Sequence, residues 1–589
     1  MKQIQFEYID DASLRQELNR IDKWKLNHRV SSMLFHVFAD NLEAEKIRHV
    51  CSLIEFALPE ALYSGCTTSG NVMDGRLNMS HITITCTIFD DPDTKVEVVQ
   101  MPLTEETEPM VSSQIKQMVE ERPWVKAIEM LVTIRGLSMT KFCEDLSEIN
   151  EDIKLFGGGA FSDDLNEVSS FVFSSGHDCS EHAVVFTLFG GDRLSVYSEW
   201  VTGWRPLGRK LKITKADHAV LQELDNKPAY DIYYKYLNLR NDEEFFKHTL
   251  EFPFIYEHNG IDILRAPTAC NEDGSLVMTA DIEEGVEAYM AYGDPWTILE
   301  QVNETGLKLS RFEPQSIFLY SCAARRTFWG NEGSNRETSP FQDIAPTSGF
   351  YTSGEFMRTG KNLNQHNVTL LVTAMREGPL TGNMHNFRIK DHSLDGQASL
   401  VNRLANFVHA ATEELESTIA MLELSSITDG LTKLYNRTEI QHRITAANTR
   451  YSESPDSVKA PSLIMLDIDD FKKVNDTYGH HEGDVVIRRI SDIMREQCAA
   501  VSGDISIGRW GGEEFMILVP SADKDTVKNL AESLREAFKK EVFEVSGNHT
   551  VSVGVTTALP GEHVDVFCMR ADDALYEAKG SGKDRVVIK

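Results

Sequence analysis

The chain has no CxxC pair, because its nine cysteines (51, 66, 86, 143, 179, 270, 322, 498 and 568) are scattered over 589 residues. That excludes a zinc knuckle of paired cysteines and reads as reduced thiols in a cytosol, not as a disulfide framework. No apolar run approaches the roughly 18 residues that a membrane span needs. The first 30 residues lack the apolar core of a secretory signal. Positive charge is short: 59 Lys and Arg stand against 91 Asp and Glu, a net charge of −32. Nucleic acid and anionic membranes both reward basic surfaces, so neither is expected as a partner. These absences point to a soluble cytoplasmic protein with no membrane span. What remains is 41% apolar and 25% charged, the composition of ordinary globular domains, at a length for roughly three to four of them.

The stretch RWGGEEFMILV, 509–519, organises the rest. Two β-prone runs flank Gly511 and Gly512, and a glycine pair supplies the positive φ of a tight hairpin. Glu513 and Glu514 follow at once, beside residues with no Cβ, so a bulky anionic ligand has room to approach. An ordinary hairpin with solvated acids is the plain alternative. Upstream, SLIMLDIDDFKKVND (462–476) reads as a buried strand that ends in Asp467, Asp469 and Asp470. Three carboxylates in four residues need a cation. Magnesium takes hard oxygen ligands and shares them between one or two carboxylates and substrate phosphates. Asp467 and Glu513 can face each other across such a metal if the two strands are neighbours. Asp469 or Asp470 can then cap a short helix whose free N–H groups point at phosphate, with Lys472 and Lys473 adding positive charge. Together these residues describe a nucleotidyl-transfer site.

Five blocks of this region resemble the GGDEF domain of diguanylate cyclases, in its GGEEF spelling: DGLTKLYNR (429–437), DIDDFKKVND (467–476), GHHEGD (479–484), RWGGEEF (509–515) and ALYEAKGSGKDR (574–585). The resemblance implies condensation of two GTP into cyclic di-GMP by a homodimer. It assigns Mg2+ (or Mn2+) to Asp467, the Ile468 carbonyl and Glu513. Glu513 is also the implied base, Glu514 a neighbouring acid, and Lys472 a stabiliser of phosphate charge. Asn475 and Asp484 would read guanine, His480 would shape the pocket, and Lys579 and Lys583, four apart near the end of the last helix, would reach the terminal phosphates. Many relatives carry Arg where Lys583 stands. The inhibitory product site of many cyclases (RxxD) falls here on Ser502 and Ile505, so no product inhibition is expected. Arg437 is either structural or faces the partner subunit.

The preceding residues resemble a FIST sensory domain in two halves. The N-terminal half rests on SGCTTSG (64–70), GGGA (157–160) with Asp163 and Asp164, GWRPLG (203–208) and LDNKPAYDIY (224–233); the C-terminal half rests on SGFYTSGEF (348–356) and HNVT (366–369). This implies binding of an unknown small ligand, with amino acids the usual suggestion. The glycine loops near 65–70 and 157–159 either cradle an anion through backbone N–H groups or serve close packing. Arg265, Arg325, Arg326 and Glu355 could pair with a zwitterion, and solvated arginines are the plain alternative.

Between the two regions, Val401, Leu404, Val408, Ala411, Leu415, Thr418 and Leu422 recur at spacings of three and four. That is a heptad seam of about three repeats, suited to a parallel dimer helix or to a helix docked on its own sensor. The expected architecture is thus a multidomain α/β chain. It comprises a helical lead-in (1–29), FIST halves at 30–236 and 237–392, a signalling helix at 393–428, and a GGDEF domain at 429–589. That last domain is expected to have a palm-like, nucleotide-cyclase-like central antiparallel sheet surrounded by helices. The competing reading is a non-catalytic receptor for GTP or cyclic di-GMP.

Overall fold

Alternation within one buried strand fixes the architecture of the C-terminal region. Every residue of Ser462–Ile468 is buried. Its odd-numbered side chains Leu463 and Met465 join one apolar cluster with Ile440, Ile444, Phe567 and Leu575. The even-numbered Ile464, Leu466 and Ile468 join another with Val474, Ile487, Leu530 and Leu534. A strand that is apolar on both faces must be covered by helices on both, and here it is.

The computed structural model describes residues 1–589 except 41, 135–136, 162–169, 243–244, 383–386, 388–395, 456–458, 502 and 522. It divides into two units, Met1–Glu413 and Glu414–Lys589. In the second unit a five-stranded sheet runs Ser506–Gly511, Glu514–Val519, Ser462–Ile468, Val551–Thr557 and Val586–Ile588. Its first four strands are antiparallel and the last is parallel to its neighbour. The helices Arg437–Glu453 and Val564–Gly580 cover one face; Phe471–Tyr478, His480–Ala499 and Lys524–Lys540 cover the other. The central antiparallel sheet expected from the sequence is present.

Among the described residues, the first unit holds four sheets, three of six strands and one of eight. The two halves exchange strands. Asn71–Met73 pairs with Thr347–Thr352, and Glu355–Thr359 pairs with Lys154–Gly159. At the N-terminus, Lys2–Glu7 is an edge strand on Ile82–Phe89, preceding the helix Asp11–Lys25. The lead-in is therefore strand and helix, not helix alone. The glycines near 157 serve packing, not anion binding. A Cβ at Gly157 would land on the Met130 carbonyl, and the Gly159 N–H already donates to Gly354. Asp163 and Asp164 lie outside the described residues.

The helix Gly396–Ile427 contains the division between units. Near its start it packs on the first unit, with Ala405 buried and the His409 ring 6.4 Å from Tyr289. Further on, Leu415, Ile419 and Leu422 are exposed. The side chain of Val401 lies outside the described residues. Among the described residues, no helix is long and apolar enough to cross a membrane.

Candidate active site

Register places the acids. Glu514 lies opposite Asp467 in the pairing of the hairpin's second strand with the central strand. The hairpin turns through Gly512 at φ 49°, whereas Gly511 keeps an ordinary φ, so only one glycine of the pair is needed for the left-handed backbone. Neither glycine would bring a Cβ against a neighbour, and the tip stays open. Asp467 is buried, and burial in first place pushes its carboxyl up to about 6; Glu513 and Glu514 add to this and Lys579 opposes it. Lys579 Nζ stands 2.7 Å from Asp467 Oδ2, and Lys583 Nζ donates to Asp470 Oδ1 at 2.8 Å. Two cations thus sit on the acidic end of the central strand.

Some expected roles change. Asp469 does not cap the following helix. Its carboxylate accepts from Thr550 Oγ1 and Ser552 Oγ, both at 2.7 Å, and from the Asp584 N–H at 3.1 Å, fastening the strand end to the C-terminal loop. Asp470 occupies the cap position with φ 57° and makes no side-chain cap bond, being held by Lys583 instead. Lys583 is not on the helix face with Lys579. The helix ends at Gly580, and Lys583 sits in the turn beyond it at φ 60°. The ion pair with Asp470 brings it back to the site.

Beside the strand end, Phe471–Tyr478 and His480–Ala499 meet at an elbow through Gly479, φ 85°. Asn475 on the first helix and Asp484 on the second are half-buried, while Lys472 and His480 are exposed. A Cβ at Gly483 would land on Asn475 Oδ1, so this glycine is what lets the amide lie against the second helix. Ile505 packs partly buried against the main core, and Ser502 lies outside the described residues. Arg437 stacks its guanidinium 4.9 Å over the Trp510 ring. That is a structural contact within the subunit.

Two residues that motif reading passed over frame the hairpin. Arg509 Nε donates to the Gly512 carbonyl at 2.9 Å, and its Nη1 donates to Asp429 at 3.2 Å. Asp429 also accepts from the Thr432 N–H and hydroxyl at 2.8 and 2.7 Å. The only hint in the sequence was that both charges lie within the two family blocks.

Among the described residues, no three metal-ligating side chains form a ready cage. The oxygen donors present still fit magnesium, which leaves several positions to water and phosphate. The raised Asp467 carboxyl is what a hard cation would relieve.

Buried sheet, acidic strand ends and facing lysines define an α/β domain with a charged site at one end of its central strand. Family models then match in order along the chain: FIST N domain at 34–227, FIST C domain at 229–358, and "Diguanylate cyclase, GGDEF domain" at 426–585. The chain carries a FIST N, a FIST C and a GGDEF domain in that order. It is similar to diguanylate cyclase DgcM of Escherichia coli, 37% identical over 182 residues, covering 31% of this chain and 42% of that protein. It is also similar to diguanylate cyclase VdcA of Vibrio cholerae, 34% identical over 195 residues, covering 32% of this chain and 55% of that protein. The chain therefore spans about half the length of these curated relatives. Among solved structures it resembles the coiled coil and GGDEF domain of DgcB from Caulobacter crescentus in complex with c-di-GMP, at 30% identity and TM-score 0.30, covering 32% of this chain and all of that one.

Proposed function

We propose that this protein is a cytoplasmic diguanylate cyclase that joins two GTP into cyclic di-GMP with release of two pyrophosphates. One domain holds one GTP. Two copies must face each other so that each ribose 3′-hydroxyl meets the other α-phosphate. The observation that carries this reading is the register that sets Asp467 beside the Glu513–Glu514 tip, with Lys579 and Lys583 on the same strand end.

Such catalysis consists mainly of positioning and charge neutralisation. A bound Mg2+ (or Mn2+) would supply Lewis-acid stabilisation of the triphosphate, held by Asp467, the Ile468 carbonyl and Glu513. Glu513 accepts the proton of the 3′-hydroxyl, and Glu514 keeps the field around it negative. Lys472 faces the charge that builds on the phosphates. Lys579 and Lys583 exchange their carboxylate partners for the terminal phosphates. Asn475 and Asp484 accept from guanine N1–H and N2–H2, donors that adenine does not present in that pattern. His480 closes the elbow. The site formed by Ser502 and Ile505 has no charged pair for a product dimer, so cyclic di-GMP does not inhibit through it.

Exposed Leu415, Ile419 and Leu422 support a dimer through the connecting helix. The FIST halves then act as a sensor for a small ligand, which shifts activity only by its different affinity for two sensor states. Product analysis with GTP and magnesium over a range of protein concentrations tests the reading. Cyclic di-GMP should form with a specific rate that rises with concentration, and Glu513→Gln should abolish it. GTP binding without any product, at all concentrations, would instead support a non-catalytic receptor.

A further inference from the structure

Lys583 reaches the acidic strand end from an unusual backbone. Gly582, Lys583 and Asp584 are consecutive and all left-handed, at φ 112°, 60° and 43°. Glycine adopts this region freely and aspartate tolerates it, but lysine rarely enters it. The lysine gains little in return. Its side chain is 40% exposed, and its ion pair is with Asp470, itself 65% exposed. Such solvated pairs contribute little to stability. A backbone held against its preference must be fixed by its surroundings.

What fixes it arrives at Asp584. Its carboxylate accepts from Arg535 Nη1 on one oxygen and from Lys539 Nζ on the other, both at 2.6 Å. Arg535 and Lys539 are four apart in the helix Lys524–Lys540 and so share one face. Leu530, Leu534 and Phe538 seat that helix in the domain core, which gives the two cations a firm footing. Arg535 is further steadied by Glu532, whose Oε2 accepts from its Nε at 2.9 Å. From the other side, the Asp584 N–H donates to Asp469 and the Lys583 N–H to the Ala578 carbonyl, each at 3.1 Å. Asp584 is therefore held by main chain and side chain together, directly beside Lys583.

We propose that Asp584 is a positioning residue for the triphosphate: anchored by Arg535 and Lys539, it holds the 582–584 turn so that the Lys583 ammonium stands at the end of the central strand. Lys579 needs no such help, because the helix Val564–Gly580 carries it to Asp467 on regular backbone. Without the anchor, the turn relaxes toward right-handed backbone and the Lys583 ammonium leaves the site. This role rests on the reading of Lys583 as a contact of the terminal phosphates of GTP.

Calorimetric titration of the full chain with magnesium tests it, using GMP and a GTP analogue with a methylene bridge between the α- and β-phosphates. The analogue keeps the terminal phosphates but cannot release pyrophosphate, so binding is read without turnover. Asp584→Ala should weaken the analogue about tenfold, the scale of one charged hydrogen bond, and leave GMP unchanged. Lys583→Ala should do the same. The double variant should bind no more weakly than Lys583→Ala alone, because Asp584 acts through that one side chain. A merely structural role would add its loss in both backgrounds. If Asp584→Ala fails to fold, as its melting temperature will show, the paired variant Arg535→Gln with Lys539→Gln removes the anchor and keeps the sequence of the turn; the same loss is expected. Full analogue affinity in a folded Asp584→Ala or in the paired variant, equal weakening of GMP, or a further loss in the Lys583→Ala background would overturn the proposal. Unchanged analogue affinity in Lys583→Ala would overturn the phosphate reading of Lys583 itself, and the positioning role with it.

Discussion

Arg509 Nη1 lies 3.2 and 3.3 Å from the two carboxylate oxygens of Asp429, tying the hairpin tip to the first residues of the GGDEF domain. The same guanidinium holds the Gly512 carbonyl, one residue before Glu513. Asp429 follows Ile427, the last residue of the connecting helix, by two positions. Asn436 adds a second tie, donating from Nδ2 to the Ser426 carbonyl at 2.6 Å. Any displacement of the helix end is therefore passed to the hairpin through short bonds. Asp429→Asn should lower the rate of cyclic di-GMP formation about tenfold, the scale of a small misplacement of reacting groups, and leave the melting temperature within a few degrees. An unchanged rate at full dimer would remove Arg509 and Asp429 from the positioning of Glu513.

Gly483 separates packing from recognition. Alanine there favours the helix by about 0.5–1 kcal/mol on propensity alone, yet its Cβ would displace Asn475. Gly483→Ala should reduce the preference for GTP over inosine triphosphate, which lacks the N2 amine, by about tenfold, the value of one buried hydrogen bond. Steady-state rates with the two nucleotides measure this. An intact preference would show that Asn475 does not read the base.

Leu415 is 65% exposed on the connecting helix, so its replacement costs the single chain little. Leu415→Lys should convert a dimer to monomer in light scattering and lower the specific rate at low protein concentration, without altering the melt of the catalytic domain. A monomeric variant with full activity would overturn the role of this helix.

His366 gives the first unit a pH-dependent stability. Burial first, and the charge of Arg265 second, push its imidazole down to about 3. The unfolded chain takes up a proton near the ordinary value of about 6.5, whereas the folded one resists it. Stability contributed by neutral His366 is therefore present above about pH 6.5 and is lost progressively as pH falls toward about 3. His366→Asn should flatten the fall of melting temperature between about pH 6.5 and about pH 4. Equal slopes in both proteins would refute it.

The sequence alone determined the fold of the C-terminal unit and the acidic residues at its hairpin and central strand. Ser462–Ile468 is apolar throughout, and only a central strand covered on both faces accepts that pattern. Gly511–Gly512 and the two glutamates declared a hairpin tip with an open approach. Local chemistry suffices for such features, because periodicity and backbone freedom are properties of neighbours in the chain. What only the tertiary structure decided depends on partners far apart in sequence. Asp469 was an expected cap and is a fastener, because Thr550, Ser552 and Asp584 arrive at it from more than 80 residues away. Lys583 is drawn back to the site by Asp470 across 113 residues. Four charged residues of the FIST halves looked alike in loops and strand ends. Folding saturated Arg325, tied Arg326 to Ser69 and Asn331, sealed Glu355, and left Arg265 beside a cavity. Whether a buried charge is satisfied or free is set by which carbonyls and carboxylates the fold brings to it, and no spacing along a chain encodes that.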